Sequence, residues 1–171
     1  MPTVLTVNGH TPRIDEGAYL ADTAVVAGDV QLAAGVSVWF GSVIRSEHAG
    51  VVIGTDSNVQ DLTAIHTDPD APVTIGERVT IGHRCVIHGC TLEDDVLIGM
   101  GAVVMNGARV GAGALVGAGA VVTEGTEVPP MSLAVGVPAK VVDRPVPGVP
   151  RPNVAGYLHI ADLYREATPD R

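Results

Sequence analysis

An aliphatic residue returns every six positions along most of the chain. It stands at Leu20, Val26, Leu32, Val38 and Ile44, resumes at Ile53, Val59 and Ile65, and again at Ile75, Ile81 and Ile87. From Leu92 it runs through Ile98, Val104, Val110, Val116 and Val122 to Val128. Four residues after most of these anchors sits a small or β-branched side chain, among them Ala24, Val30, Ser42, Thr63, Cys85, Thr91 and Ala102. Neither the three-and-four spacing of a helix nor strand alternation explains that period, and a repeat of this kind governs the whole fold. Two inward positions in six predict short flat strands separated by turns.

The pattern resembles the hexapeptide repeat of left-handed parallel β-helices, three-sided prisms in which about three hexads make a coil and coils stack at about 4.8 Å. An all-β left-handed parallel β-helix of about six coils is therefore expected, over residues 1–142, with a short N-terminal lead-in. The period slips at three places, and the two long gaps, Glu47 to Val52 and Thr67 to Thr74, should bulge from the wall as loops. Residues 143–171 read as a separate segment. DRPVPGVPRPN at 143–153 is too proline-rich for a sheet interior. The helical spacing of Val154, Tyr157, Leu158 and Ala161 predicts a C-terminal α-helix on the outside of the prism, with Asn153 as its N-cap.

Composition narrows the function classes. One Phe, one Trp and three Tyr against 46% apolar residues require a narrow aliphatic core. A formal charge of −9 without a basic stripe argues against a nucleic-acid groove. The N-terminus lacks a basic region followed by a long apolar run, and no stretch is long and apolar enough to span a membrane, so a cytoplasmic protein is expected. Two cysteines are too few for a disulfide scaffold: Cys85 reads as a core thiol and Cys90, near a corner, as a non-ligand.

Sorting the hexads in threes assigns each histidine to a face. His66 and His88 each follow an anchor on the same face, one coil apart, so they should stack outward as a pair, with Arg45 extending the column. A stacked pair about 5 Å apart can share one metal ion, since Zn–N bonds are about 2.0–2.1 Å. His83 falls near the corner of the preceding face, above Asp61. A neighbouring chain in a threefold ring could bring its His83 to the pair and its Asp61 to Arg45. His10, His48 and His159 read as solvated side chains.

These segments resemble the γ-class carbonic anhydrases and their shorter bacterial relatives: VWFGSVIRSE at 38–47, IGTDSNVQDLTAIH at 53–66, VTIGHRCVIHGCTLEDDVLIGMGAVV at 79–104 and VGVPAKVV at 135–142. The resemblance implies a homotrimer with zinc, or else iron or cobalt, at subunit interfaces, its ligands at the positions of His66, His83 and His88. It further implies that Gln60 orients water or CO2, that Arg45 and Asp61 pair, and that Asn58 is structural. A metal-bound hydroxide would attack CO2 to give bicarbonate. The acidic loops depart from the hydratase pattern, reading SEHAG and TDPDAP. Glu47, His48, Asp68 and Asp70 are the candidates for moving the proton, and weak hydration is part of the expectation.

Three other functions fit the same repeat: a metal-dependent acyl-CoA thioesterase, a hexapeptide acyltransferase in which an imidazole deprotonates the acceptor without metal, and a non-catalytic trimeric assembly protein.

Overall fold

The computed structural model describes residues 1–167; the last four residues of the expected C-terminal segment lie outside this range. The chain is the parallel β-helix that the six-residue period predicts. On the first face Val4, Val26, Ile44, Ile65, Ile87, Val104 and Val122 stack in register. On the second face the column is Ile14, Leu32, Ile53, Ile75, Leu92, Val110 and Val128. The third runs from Leu20 through Val38, Val59, Ile81, Ile98 and Val116 to Ala134.

The columns make about seven turns where the anchors predict six. The additional coil comes from Val4 and Ile14, which an antiparallel bridge between Val7 and His10 puts out of period, and from Ala134, too small to read as an anchor. The N-terminal lead-in is thus part of the wall. Most anchors are fully buried, and each such side chain stabilises the prism by roughly 1.5–3 kcal/mol.

Where the period slips, the chain solves the problem in three ways. The strand Val43–Ile53 runs straight through the first expected loop: Gly28 pairs with Ser46 and Val30 with Val51, so Asp29 opposes the four residues 47–50 in a bulge. Gly28 is essential to it, since at φ +82° a Cβ there would lie 1.8 Å from the Ser46 carbonyl oxygen. The second gap does form a loop, closed by an antiparallel bridge between Asp68 and Ala71, but it is shorter than expected: Val73 and Thr74 already belong to the wall strand Val73–Ile75. At the short gap Cys90, 2% exposed, takes the inward place expected of Thr91, which instead joins the outer wall between Thr74 and Arg109.

The helix α1, Pro152–Glu166, lies against the third face. Its N-cap is Arg151 and not Asn153, because Pro152 already has the backbone angle the first helical residue needs. Asn153 sits inside the first turn and donates to Thr80 Oγ1 at 2.6 Å. The buried Arg151 guanidinium donates to the carbonyls of Asp95 and Gly113. All five aromatic residues of the chain, Tyr19, Trp39, Phe40, Tyr157 and Tyr164, pack in one cluster between helix and wall. No helix among the described residues is long and apolar enough to cross a membrane.

Candidate functional site

Outward residues next to the first-face anchors form two columns. One is apolar, Val25, Val43, Ala64, Val86, Val103 and Val121. The other carries Arg45, His66 and His88 in register. The two imidazoles stack as their spacing predicts, with ring centroids 4.9 Å apart and Nδ1 of His66 2.9 Å from Nε2 of His88.

Each of their remaining ring nitrogens meets an oxygen. Nε2 of His66 lies 3.0 Å from Oε2 of Glu47, whose other oxygen receives the Arg45 guanidinium at 2.5 Å. Nδ1 of His88 lies 2.5 Å from Oδ1 of Asn106, and the Asn106 amide nitrogen donates to Asp68 Oδ2 at 2.7 Å. Partial burial pushes the Glu47 carboxyl up, but hydrogen bonds from Arg45 and His66 outweigh it and hold the group below the usual carboxylate range. Glu47 is therefore an acceptor at neutral pH. Asp68 fixes the Asn106 amide, because its carboxylate takes the NH2 and leaves the amide oxygen for His88.

Glu47, Asn106 and the contact between the rings call for three N–H groups, and two neutral imidazoles own two. Once both outer nitrogens donate, two lone pairs face each other at 2.9 Å. A cation between them, a proton or a metal ion, removes that repulsion.

His83 sits at the corner between the third and first faces. Its Nδ1 is 2.8 Å from Asp61 Oδ2, and the other Asp61 oxygen accepts the Phe40 amide at 3.2 Å. Nε2 of His83 lies 3.4 Å from the Tyr157 hydroxyl. Burial, and then the nearby Asp61 carboxylate, push the Tyr157 phenol above its ordinary value, so it stays protonated. All three histidines thus have one nitrogen against an oxygen acceptor, the arrangement that fixes the tautomer of a metal ligand. Among the described residues no three His, Cys, Asp or Glu side chains of the single chain converge as a metal-binding group.

Gln60 and Asn58 come together as a buried pair. Gln60 Nε2 donates to Asn58 Oδ1 at 3.1 Å, and Asn58 Nδ2 to Thr80 Oγ1 at 3.0 Å. Gln60, His83, Asn153 and Tyr157 border a groove of about 560 Å³ between helix and wall, whose floor includes Leu97, Ile98 and Met100. Arg45 and Asp61 do not meet within the chain: one is held by Glu47, the other by His83. Of the four acidic-loop candidates, Glu47 touches the histidine column and Asp68 reaches it through Asn106, while His48 and Asp70 are exposed. Asn106 and Tyr157 escape the sequence reading, since neither shares a spacing pattern with the histidines. The absence of a side chain at Gly89, opposite Asn106, and the scarcity of aromatics were the available signals.

Residues 89–124 match the family profile described as Bacterial transferase hexapeptide (six repeats). A hexapeptide transferase family protein from Anaplasma phagocytophilum superposes with a TM-score of 0.90 at 32% identity, covering 95% of this chain and 98% of that one. The Arabidopsis thaliana protein named Gamma carbonic anhydrase 2, mitochondrial, is 39% identical over 148 residues, 83% of this chain and 53% of its own length. The chain thus spans about half the length of that relative. The Methanocaldococcus jannaschii protein named Probable carbonic anhydrase is 51% identical over 129 residues, 75% of this chain and 81% of its own. With that identity over most of both sequences, the chain belongs to the γ-class carbonic anhydrase family.

Proposed function

We propose that the chain catalyses the reversible hydration of CO2 to bicarbonate as a homotrimer. A divalent cation, zinc or else iron or cobalt, is held at each interface by His66 and His88 of one protomer and by the partner subunit's His83. The observation that carries this reading is the 2.9 Å approach of His66 Nδ1 to His88 Nε2 while the other nitrogen of each ring faces an oxygen acceptor, an arrangement that a shared cation would satisfy. The 2.9 Å separation needs to open only slightly, since two nitrogens on a tetrahedral zinc stand about 3.3 Å apart. Beside the histidines, Ala64 and Val86 of that column are exposed, Val86 at 40%, and Leu62 in the adjoining turn is 62% exposed; apolar side chains so placed support the trimer, since they call for cover. Carbonic anhydrase relatives support the choice of reaction.

A bound cation supplies Lewis acidity that lowers the pKa of water at the site from about 15.7 toward about 7. The protein's own side chains do the rest. His83 keeps its Nδ1 proton directed at Asp61, which leaves Nε2, 3.4 Å from the Tyr157 hydroxyl, to turn to the neighbouring protomer. Asn58, oriented by Thr80, takes the Gln60 amide N–H and leaves the Gln60 oxygen to orient water toward CO2. Glu47, steadied by Arg45, is the carboxylate that carries the released proton outward. In the ring, the same corner-to-face contact brings the partner subunit's Asp61 to Arg45.

The resemblance to a hexapeptide transferase supports a second reading, acyl transfer with an imidazole as base and no metal. Elemental analysis of anaerobically purified protein, run with its mass in solution, tests the first: one metal ion per chain in a trimer that hydrates CO2 is the expected result. Acyl transfer from an acyl-CoA that survives complete metal removal would move the assignment to the second.

A further inference from the structure

We infer that Asn106 and Asp68 act together as a tautomer lock on His88, holding its Nδ1 protonated so that Nε2 is permanently presented as a lone pair. The inference rests on the metal-site reading above. The Asp68 carboxylate has acceptors alone, so the Asn106 group facing it at 2.7 Å must be the NH2. The amide oxygen is then left for His88, whose Nδ1 lies 2.5 Å away and must donate. With the amide reversed, His88 would accept at Nδ1 and carry its proton on Nε2, in the gap facing His66.

The wall is shaped to admit this lock. Asn106 is one coil beyond Gly89, and a Cβ on Gly89 would stand 2.5 Å from Asn106 Oδ1 and 2.7 Å from the Ala71 methyl carbon. Any side chain at 89 would fill the space through which Asn106 reaches His88. Asp68 approaches from the other side, on the loop closed by its bridge with Ala71. The loop after His66 therefore acts on His88: one insertion in the repeat carries the group that orients the ligand of the next coil. Asn106 and Asp68 are positioning residues and need never touch substrate.

Zinc affinity of the full-length protein, measured by competition with a chromophoric chelator, tests the lock. Asn106→Leu keeps the volume, removes the acceptor, and should weaken zinc binding about 10- to 100-fold. Asp68→Asn, at an exposed position where folding is not at stake, lets the Asn106 amide reverse and should weaken binding by a smaller factor. Combining Asp68→Asn with Asn106→Asp exchanges the two groups: a carboxylate then faces His88 and an amide NH2 faces that carboxylate. Affinity should return to within a few-fold of wild type, which a purely structural role for either residue would not bring about. Unchanged affinity in both single variants, or a double variant no better than the weaker single one, overturns the inference. A wild-type protein that holds no zinc removes the underlying reading itself, a result distinct from zinc-binding variants that behave alike.

Discussion

Two variants that fail alone should restore one another when mixed, in a proportion fixed by the geometry. His83→Ala leaves the His66–His88 face intact and removes the corner ligand; His66→Ala does the reverse. The pair sits on one face at an N–N separation of 2.9 Å, while His83 is tied at 2.8 Å to Asp61 on a different corner. A face from one variant must therefore meet a corner from the other. In a heterologous ring of three, every trimer containing both variants has one such interface, whatever its order. At equal mixing about three-quarters of rings are mixed, each with one restored site in three, so about one quarter of all sites are complete. The assay is zinc content and CO2 hydration after dissociating and reassembling the two proteins together over a range of ratios. Each parent alone has two ligands at every interface and should retain little metal. Recovery should peak near one quarter of wild type at equal proportions and fall symmetrically on either side. No recovery in trimers shown to be mixed would refute the placement of ligands on two chains. Recovery in an unmixed parent would refute the ligand set.

Ile98→Ala removes a fully buried anchor stacked between Ile81 and Val116, away from the histidine column, and should cost about 2–5 kcal/mol. Chemical denaturation would measure it, and a loss below about 1 kcal/mol would contradict the packed-column account. Neither thiol should react with a disulfide reagent at pH 8 until the protein unfolds: both cysteines are at most 2% exposed, and burial pushes the Cys90 thiol up to about 12 and raises Cys85 as well. Labelling of either in the folded protein would place it nearer the surface than the core.

Periodicity reveals what is repeated and conceals what is not. The columns of Ile44, Ile65 and Ile87 could be read from spacing because inward apolar residues have no alternative on a wall this narrow. The stacking of His66 on His88 followed, since each stands one residue past an anchor of the same face. Val4 and Ile14 escape the period because the turn from Val7 to His10 breaks the count at the open end of the prism. The continuous strand through Glu47 is hidden for a different reason: a bulge absorbs extra residues without leaving the sheet, and its signature, Gly28, lies on the adjacent strand. Asn153 carried the composition of an N-cap but is used to bind Thr80, a choice made by tertiary contact and invisible to local propensity. Tyr157 reaches His83 from a helix whose phase bears no relation to the six-residue period.

The same wall geometry explains why catalysis in such a chain should be a property of its assembly. Ligands on one metal ion must bring their nitrogens to about 3.3 Å of one another, whereas successive coils are about 4.8 Å apart. Two imidazoles one coil apart can lean together, as His66 and His88 do. A third in the same column would start about 9.6 Å from the first and could not converge without breaking the strands. The neighbouring positions of the column are accordingly Arg45 below and Met105 above, neither a nitrogen donor to the pair. A ligand from around the corner of the same prism points along a different face normal, and His83 is further restrained there by Asp61 and Tyr157. In the proposed trimer the third ligand comes from a second prism laid corner to face against the first. Ala64 and Val86, exposed on the wall beside the histidines, are the surface on which it would rest, so in the proposed trimer the contact that completes the ligand set would also cover the wall.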